Sequence, residues 1–297
     1  MMSLPFIYSS SEEEIQDPSL ATKNLQLFVK RDDKIHPFIS GNKWRKLKYH
    51  LIWAAENNIQ TLVTFGGAWS NHLLATAAAG AHFGFKTIGY VRGEQVENPV
   101  LSMCQLFGMQ LRYVDRDSYK NKQEIFKLNF SQDEALFIDE GGKSSLGIKG
   151  CAEILNELQH QYDYIFCAGG TGTTIVGIQK GIELLKLKTQ AHCIPVLKGG
   201  EFLLKEFEAC GITNNKIQLH LEYHFGGYAK TKPALNQFIK KFMSTTGIMI
   251  EPTYTGKLFY GVYDLIAKDF FKNNSKILVV HTGGLTGLLG HLPKMEI

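Results

Sequence analysis

The chain has 297 residues, of which 44% are hydrophobic and 20% are charged, and its formal net charge is +4. This composition is typical of a globular protein, and so modest a charge gives no reason to expect a nucleic-acid partner. No apolar run approaches the ~18 residues of a membrane span, and five scattered cysteines favour reduced thiols over disulfides or zinc. We therefore expect a soluble, cytoplasmic protein with no membrane or nucleic-acid partner and no bound metal.

Predicted strands alternate with predicted helices along most of the chain. Residues 1–20 are polar and are predicted to form a surface arm. Strands are predicted at 25–30, 61–65, 87–91, 111–114, 135–138, 162–167, 191–196, 217–222, 248–255 and 276–281. Helices are predicted at 40–57, 71–83, 99–107, 119–129, 147–158, 174–187, 201–210, 233–245 and 256–271. Such alternation indicates parallel sheets with helices on both faces, whose ligands lie at the carboxyl ends of strands.

The stretch SGNKWRKLKYHL, residues 40–51, combines four basic residues with apolar residues at helical spacing. A solvated basic face is the commoner meaning of such a cluster. Lys43, however, would stand at the start of the helix, where the macrodipole disfavours a cation. Burial there would lower its pKa, as an imine-forming lysine requires.

A glycine-rich loop, GGTGTT at 169–174, follows a predicted strand and opens a predicted helix. Backbone N–H groups, threonine hydroxyls and a helix N-terminus together suit a phosphate. The loop is not a Walker A loop, because no GK[ST] follows. It is not the dinucleotide fingerprint either, because Ile175 stands where the third glycine would be. A tight strand-to-helix turn is the equally common alternative.

Another strand end carries the polar residues Ser70, Asn71 and His72. Ser70 and Asn71 could simply cap the following helix, which is the commoner reason to find them there. Alternatively, Ser70 presents a hydroxyl to the cleft and Asn71 bonds a ring oxygen. His72 alone is more often a packed or surface histidine than a catalyst. The surroundings of Ser70 lack the GxSxG pattern of a hydrolase nucleophile.

Two later loops add a tyrosine and a threonine. Tyr254 could belong to the core, stack on a flat cofactor or hold a proton, and Thr282 could form a turn or touch a ring nitrogen. No single loop is decisive. In combination, an activated lysine, a phosphate cradle without a metal-holding residue, and hydroxyls at other strand ends favour a small phosphorylated aromatic aldehyde bound as an imine.

At these motifs the sequence resembles the pyridoxal-phosphate enzymes of the tryptophan-synthase-β type, and among them the 1-aminocyclopropane-1-carboxylate deaminase / D-cysteine desulfhydrase family. The similarity runs from about residue 25 to residue 290. The matching segments are GNKWRKL at 41–47, SNH at 70–72, TGTT at 171–174, YTGK at 254–257 and HTGG at 281–284.

The resemblance implies pyridoxal 5'-phosphate as the cofactor and a role for each matched residue. Lys43 would be the Schiff-base lysine, Asn71 would contact the ring oxygen, and Thr282, or alternatively Thr255, the ring nitrogen. The phosphate would be held by Lys46, Thr171, Gly172, Thr173 and Thr174. Tyr254 and Tyr228 match tyrosines of the active site. Ser70, Asn71 and His72 would meet the substrate carboxylate. The candidates for catalysis are Lys43, Ser70, Tyr254 and Tyr228.

Two departures from the family pattern bear on the substrate. Trp69 stands where relatives usually carry glutamine, so the substrate pocket should differ in shape. Thr255 stands where the deaminases carry a glutamate that can reach the pyridine nitrogen. A neutral threonine at 255 or 282 stabilises a protonated ring less than a carboxylate does. Since opening a cyclopropane demands more of the enzyme than expelling a thiolate, the sequence favours β-elimination.

We therefore expect a two-lobed α/β enzyme of fold type II, each lobe a mainly parallel open twisted sheet flanked by helices. The large domain would comprise 1–47 and 151–297, and the small inserted domain 48–150. The expected reaction converts D-cysteine to pyruvate, sulfide and ammonia, and the resemblance implies a homodimer. The alternatives are a 1-aminocyclopropane-1-carboxylate deaminase or related amino-acid lyase, and a non-catalytic cofactor-binding protein.

Overall fold

The computed structural model describes residues 9–213 and 216–292, which form an α/β structure with two sheets. The strands of these residues are β1 (Glu12–Glu14), β2 (Gln26–Lys30), β3 (Thr61–Gly66), β4 (Lys86–Arg92), β5 (Gln110–Val114), β6 (Ala135–Ile138), β7 (Tyr164–Gly169), β8 (Gln190–Pro195), β9 (Ile217–Leu219) and β10 (Lys276–Val280). The α-helices are α1 (Pro18–Ala21), α2 (Asn42–Glu56), α3 (Asn71–Phe83), α4 (Pro99–Leu106), α5 (Lys122–Asn129), α6 (Ser145–Ala152), α7 (Thr173–Leu184), α8 (Phe202–Ala209), α9 (Pro233–Thr246) and α10 (Thr255–Ala267).

The larger sheet has the strand order β1-β2-β10-β7-β8-β9. Its strands are parallel except β1, which pairs antiparallel with β2. Alternate residues of the strands enter two different cores. Helices α9 and α10 pack on one face, around Val29 and Phe166, and helices α7 and α8 pack on the other, around Ile165 and Leu278. This period of two is what a sheet covered on both faces requires.

The smaller sheet has the strand order β5-β4-β3-β6 and is parallel throughout. Helix α5 packs on one face, and helices α2, α3 and α4 pack on the other. Leu47 and Leu51 of α2 are fully buried there, and each such side chain stabilises the fold by roughly 2 kcal/mol. The two sheets confirm the predicted fold class.

The motifs singled out in the sequence follow the carboxyl ends of strands in both sheets. Strand β2 continues into the segment before α2, and β7 continues into the loop before α7. A further loop follows β10, the last strand. Strand β3 continues into the loop before α3, and β6 into a 3₁₀ turn at Glu140–Gly142. Parallel strands bring such loops to one edge of each sheet. Within the described ranges, no helix combines the length and the apolarity needed to cross a bilayer.

The prediction of a surface arm at 1–20 is wrong where the structure describes it; residues 1–8 lie outside the described part. Glu12–Glu14 form an edge strand, and Leu20 is buried. The acidic run is not simply solvated, because the Glu13 carboxylate pairs with Arg31 and Lys34. Strand pairing of this kind joins residues far apart in sequence, and a local pattern does not encode it.

The predicted strand at 248–255 is also wrong. Residues 247–254 connect α9 to α10 without entering either sheet. Ile248 and Ile250 are nevertheless buried, because they pack into the core beside α9 and α10. Their alternation therefore reflects packing of an irregular segment and not pairing with another strand.

The two sheets draw on different parts of the chain. Strands of the larger sheet lie within 12–30 and 164–280, and those of the smaller sheet within 61–138. Helix α2 spans the predicted boundary after residue 47, and its apolar face packs against Leu62 of β3 and Ala75 of α3. The division into domains 1–47 with 151–297 and 48–150 stays a prediction.

Candidate active site

A cavity at the carboxyl ends of the strands brings most of the predicted site residues together. Eight of them line it: Lys43, Lys46, Asn71, Thr171, Gly172, Thr174, Tyr254 and Thr282. Six lining residues were not predicted: Asn42, Gly141, Ala168, Gly170, Gly283 and Gly284. The described residues of this lining include two lysines and no acidic side chain, so the cavity suits an anionic ligand.

Lys43 is the second residue of α2, as its predicted position at the helix start requires. The helix begins after Gly41, whose φ of 61° favours glycine. A Cβ at residue 41 would lie 1.9 Å from the carbonyl oxygen of Thr282, so only glycine lets the two loops approach so closely. This approach fixes where Lys43 enters the cavity.

Among the described residues, the side-chain nitrogen of Lys43 hydrogen-bonds to a neutral neighbour. It donates a hydrogen bond of 3.1 Å to Oδ1 of Asn42, and Nδ2 of Asn42 donates one of 2.9 Å to the Thr174 hydroxyl. Burial, and then the cation of Lys46, lower the pKa of Lys43 to about 7. A substantial fraction of Lys43 is therefore an uncharged, nucleophilic amine at neutral pH.

The glycine-rich loop and Lys46 form the cationic end of the cavity. Gly172 has φ 79° and precedes α7, whose first backbone N–H groups have no partner within the helix. The hydroxyls of Thr171 and Thr173 lie 3.0 Å apart and share a hydrogen bond. Lys46 is buried and donates a hydrogen bond of 3.0 Å to the carbonyl of Gly141. Burial lowers the pKa of Lys46.

A buried carboxylate fixes the segment that carries Tyr254. Glu251 accepts hydrogen bonds of 2.7, 2.7 and 2.8 Å from the backbone N–H groups of Thr253, Tyr254 and Thr255. Burial raises the pKa of Glu251, while these donors oppose the rise. Sequence reasoning missed this residue, although an acidic residue just before a helix is a known signal of an N-terminus.

Thr255 and Thr282 differ in their access to the cavity. Thr282 lines it, whereas Thr255 is fully buried with its hydroxyl 3.3 Å from a Glu251 carboxylate oxygen. The Thr255 hydroxyl also accepts a hydrogen bond from the backbone N–H of Glu251. Of the two threonines that the sequence left open, Thr282 is thus the one exposed to a ligand.

Tyr228 lies beside Tyr254 but does not line the cavity. The ring centroids are 6.0 Å apart with an angle of 76° between the planes. Burial raises the pKa of Tyr254 well above its usual value, so Tyr254 is a neutral hydrogen-bond donor. The side chain of Tyr228 is half exposed at the adjoining surface.

Four other predicted residues, Ser70, His72, Trp69 and Thr173, are not among the lining residues. The Ser70 hydroxyl caps α3 by accepting the backbone N–H of Leu73. His72 is buried with Nε2 2.9 Å from the Thr64 hydroxyl. Trp69 lies 40% exposed, with its ring against Gly290. Their roles toward a substrate stay predictions.

The residues of the cavity fit pyridoxal phosphate. Lys43 offers an uncharged amine, and Lys46 with the α7 N-terminus offers a site for phosphate. A Cβ at residue 170 would lie 3.1 Å from the Tyr254 ring, so glycine there leaves this aromatic wall free for a flat ligand. In the described ranges, no group of three or more His, Cys, Asp or Glu side chains is arranged to hold a metal ion.

Two mainly parallel sheets with a lysine and a glycine-rich anion cradle at their strand ends define an α/β enzyme of fold type II. The model of the family "Pyridoxal-phosphate dependent enzyme" matches residues 15–283, and the chain belongs to this family. Its relatives assign it further to the branch of 1-aminocyclopropane-1-carboxylate deaminases and D-cysteine desulfhydrases.

Two of these relatives are similar over most of their length. A bifunctional D-cysteine desulfhydrase/1-aminocyclopropane-1-carboxylate deaminase of Arabidopsis thaliana is 31% identical over 91% of this chain and 75% of its own. A Thermotoga maritima protein, provisionally named as a 1-aminocyclopropane-1-carboxylate deaminase, is 33% identical over 88% of this chain and 89% of its own.

Solved structures show the same fold. The crystal structure of an ACC deaminase homologue superposes with a TM-score of 0.82 at 26% identity, covering 97% of this chain and 93% of the other. A threonine deaminase of Solanum lycopersicum superposes with a TM-score of 0.70 at 17% identity, covering 97% and 87%. The second similarity concerns the fold alone.

Proposed function

We propose that this protein catalyses the α,β-elimination of D-cysteine, with one water consumed and pyruvate, sulfide and ammonia released. The polar groups around the cavity carry the proposal. The hydroxyl available to a ring nitrogen is that of Thr282, and the nearby Glu251 carboxylate accepts three backbone hydrogen bonds. An uncharged hydrogen-bond partner at the ring nitrogen suits the expulsion of a thiolate. It suits the opening of a cyclopropane ring less well, because that reaction is more demanding.

Pyridoxal phosphate, when bound, supplies an acceptor for the electron pair that the substrate Cα keeps after losing its proton. We assign Lys43 to hold the cofactor through its amine and, once freed by the substrate amine, to take the Cα proton. Its pKa of about 7 matches that task at neutral pH. We prefer Lys43 to Ser70 as the base because the Ser70 hydroxyl caps α3.

The remaining residues would position the reacting groups. Lys46 with residues 171–174 would bind the phosphate, and Asn71 would donate to the ring oxygen. The Tyr254 hydroxyl, on a ring that packs edge to face against Tyr228, would hold a proton for the departing sulfur. Ser70, Asn71 and His72 would meet the substrate carboxylate, and Trp69 would limit the size of the substrate. We also propose that the protein is a homodimer, which light scattering after gel filtration tests. We propose that it lies in the cytoplasm, which cell fractionation tests.

A deaminase of 1-aminocyclopropane-1-carboxylate is the second candidate, because the relatives named above carry that activity in their names. The test is a product assay with cofactor-loaded protein on D-cysteine, L-cysteine and 1-aminocyclopropane-1-carboxylate. We expect pyruvate and sulfide from D-cysteine alone, and no product from Lys43→Ala. Formation of 2-oxobutyrate would contradict the assignment to β-elimination. No product from any of the three substrates would favour a non-catalytic cofactor-binding protein.

A further inference from the structure

Lys257 is a buried cation that the proposed mechanism does not use. Its side chain is 0% exposed, and Nζ donates hydrogen bonds of 2.7 Å to the carbonyl of Gly227 and 3.1 Å to that of Val196. Burial lowers its pKa to about 8. Taking an ammonium group out of water is costly, so a lysine at this position must gain from the contacts that it makes.

The Gly227 carbonyl belongs to a loop with an unusual backbone. Phe225, Gly226, Gly227 and Ala229 all have positive φ, at 51°, 99°, 118° and 54°. Phenylalanine and alanine rarely adopt this region, and such a backbone persists only when the surroundings hold it. The Lys257 ammonium supplies one such restraint, because it bonds the carbonyl in the middle of the loop.

The residue that follows this carbonyl is Tyr228. Its ring meets that of Tyr254 nearly edge to face, with the centroids 6.0 Å apart. Tyr254 is the residue before α10, and Lys257 lies in the first turn of the same helix. One helix end therefore carries both the aromatic partner of Tyr228 and the cation that restrains the loop of Tyr228.

We propose that Lys257 is a positioning residue, whose ammonium group holds the Gly227 carbonyl so that the Tyr228 ring stays packed edge to face against Tyr254 beside the active site. Val196, directly after β8, gives the ammonium a fixed point in the larger sheet. This proposal rests on the proposed function for what Tyr228 does in turnover. The restraint on the loop itself does not depend on the substrate.

The first test measures the loop without any substrate. Lys257→Met removes the cation while keeping most of the side-chain volume, and Lys268→Met, at the exposed end of the same helix, is the control. Lys230 is exposed just after the loop, so trypsin cleavage there reports how often the loop opens. We expect cleavage after Lys230 to accelerate on the order of tenfold in Lys257→Met and to stay unchanged in Lys268→Met.

Unchanged cleavage in Lys257→Met would overturn the proposal. If this variant does not fold, Lys257→Gln takes its place with the same expectation of faster cleavage, because its uncharged amide nitrogen stands one bond nearer the backbone than Nζ and does not reach both carbonyls. Cleavage at the wild-type rate in Lys257→Gln would then overturn it. Titration of each variant with pyridoxal phosphate should give the wild-type affinity, because Lys257 does not line the cavity.

The second test asks whether Lys257 acts through Tyr228. We expect Lys257→Met to lower kcat on the order of 10- to 100-fold, and Tyr228→Phe to lower it comparably. The double variant should lose little more than Tyr228→Phe alone, because both changes remove the same hydroxyl from its position. Losses that multiply would overturn the proposal. If no variant and no wild-type protein acts on the three substrates, the proposed function fails while the cleavage test still decides the role of Lys257.

Discussion

The hydroxyl of Thr286 donates a hydrogen bond of 2.8 Å to the side-chain oxygen of Asn71. Thr286 belongs to the 3₁₀ helix Leu285–Gly290 after β10, whereas Asn71 opens α3, which packs on the smaller sheet. A Cβ at Gly284 would lie 2.7 Å from the amide nitrogen of Asn71, so the backbone at Gly284 packs closely against the same side-chain amide. Since the oxygen already has a donor, the amide nitrogen is the end left to donate into the cavity.

Thr286→Val should therefore weaken the binding of pyridoxal phosphate. The variant keeps the shape of the side chain but no longer orients the amide of Asn71, and the lost hydrogen bond is worth ~1 kcal/mol, or roughly fivefold in Kd. Fluorescence titration of the cofactor-free protein measures the change. Thr286→Ser, which keeps the hydroxyl, should bind like the wild type. Equal affinity of the valine variant would show that Thr286 does not orient Asn71.

Incorporation of pyridoxal phosphate into the cofactor-free protein should depend on pH through Lys43. Only the uncharged amine attacks an aldehyde, and the pKa of Lys43 is lowered to about 7 by burial and by Lys46. The incorporation rate, followed by absorbance, should rise with pH and level off above a midpoint near 7. A midpoint close to that of an ordinary lysine would contradict the assignment.

Lys46→Met tests the electrostatic part of the same argument. Removal of the Lys46 cation takes away one cause of the lowered Lys43 pKa, so the midpoint of incorporation should move to higher pH. The variant should also bind more weakly, because Lys46 is assigned to phosphate; the midpoint, not the absolute rate, is therefore the informative quantity. A midpoint that does not move would mean that burial alone lowers the pKa of Lys43.

The start of α2 is also held by a buried charge cluster. Arg45 donates two hydrogen bonds of 2.7 Å to Asp32, and hydrogen bonds of 2.7 and 2.9 Å to Glu157. Arg45→Met would leave Asp32, which is 0% exposed, without its guanidinium partner. We expect the free energy of unfolding to fall by roughly 3–5 kcal/mol, measured by urea denaturation.

Lys48→Met is the matched control on the same helix. The ion pair of Lys48 with Glu153, 2.7 Å long, is partly exposed to solvent, so its loss should cost less than about 1 kcal/mol. Similar losses for Arg45→Met and Lys48→Met would mean that the buried cluster does not stabilise α2.

The sequence predicted those features of the fold and of the candidate site that depend on neighbouring residues in the chain. The alternation of strands and helices, the position of Lys43 at a helix start, and the glycine-rich loop before α7 all follow from a few adjacent residues. The contacts of Thr286 with Asn71 and of Lys46 with Gly141 join residues far apart in the chain. No spacing or propensity encodes such contacts, which form only once both sheets are assembled.

Buried polar residues were the harder case. Glu251 and Lys257 stood beside a recognised tyrosine, but a sequence does not tell which of its charged residues will be buried. Their partners are mostly backbone groups: the carbonyls of Val196 and Gly227 for Lys257, and the N–H groups of residues 253–255 for Glu251. Because every residue carries the same backbone groups, the residue types around a buried charge do not reveal such partners. The burial of Glu251 and Lys257 was therefore not predicted.

The environment of Thr255 leads to a last prediction, about the residue that distinguishes the deaminases. Thr255 is fully buried, with its hydroxyl 3.3 Å from the Glu251 carboxylate. Thr255→Glu would place a second carboxylate in that site, and two carboxylates so close cannot both ionise. We expect the free energy of unfolding to fall by roughly 3 kcal/mol at neutral pH and no 2-oxobutyrate to form.

The pH dependence and a double variant separate charge from size in this prediction. The crowded pair has a raised carboxylate pKa, so the folded state binds more protons than the unfolded state and stability falls further as pH rises through that range. Glu251→Gln removes the like charge at nearly equal volume but also loses one acceptor of backbone N–H groups. Thr255→Glu should therefore cost less stability in the Glu251→Gln background than in the wild type, measured by urea denaturation. If the cost is equal in both backgrounds, crowding and not charge excludes glutamate from position 255. If the double variant is stable and forms 2-oxobutyrate, then the uncharged partner of the pyridine nitrogen is what restricts this enzyme to elimination.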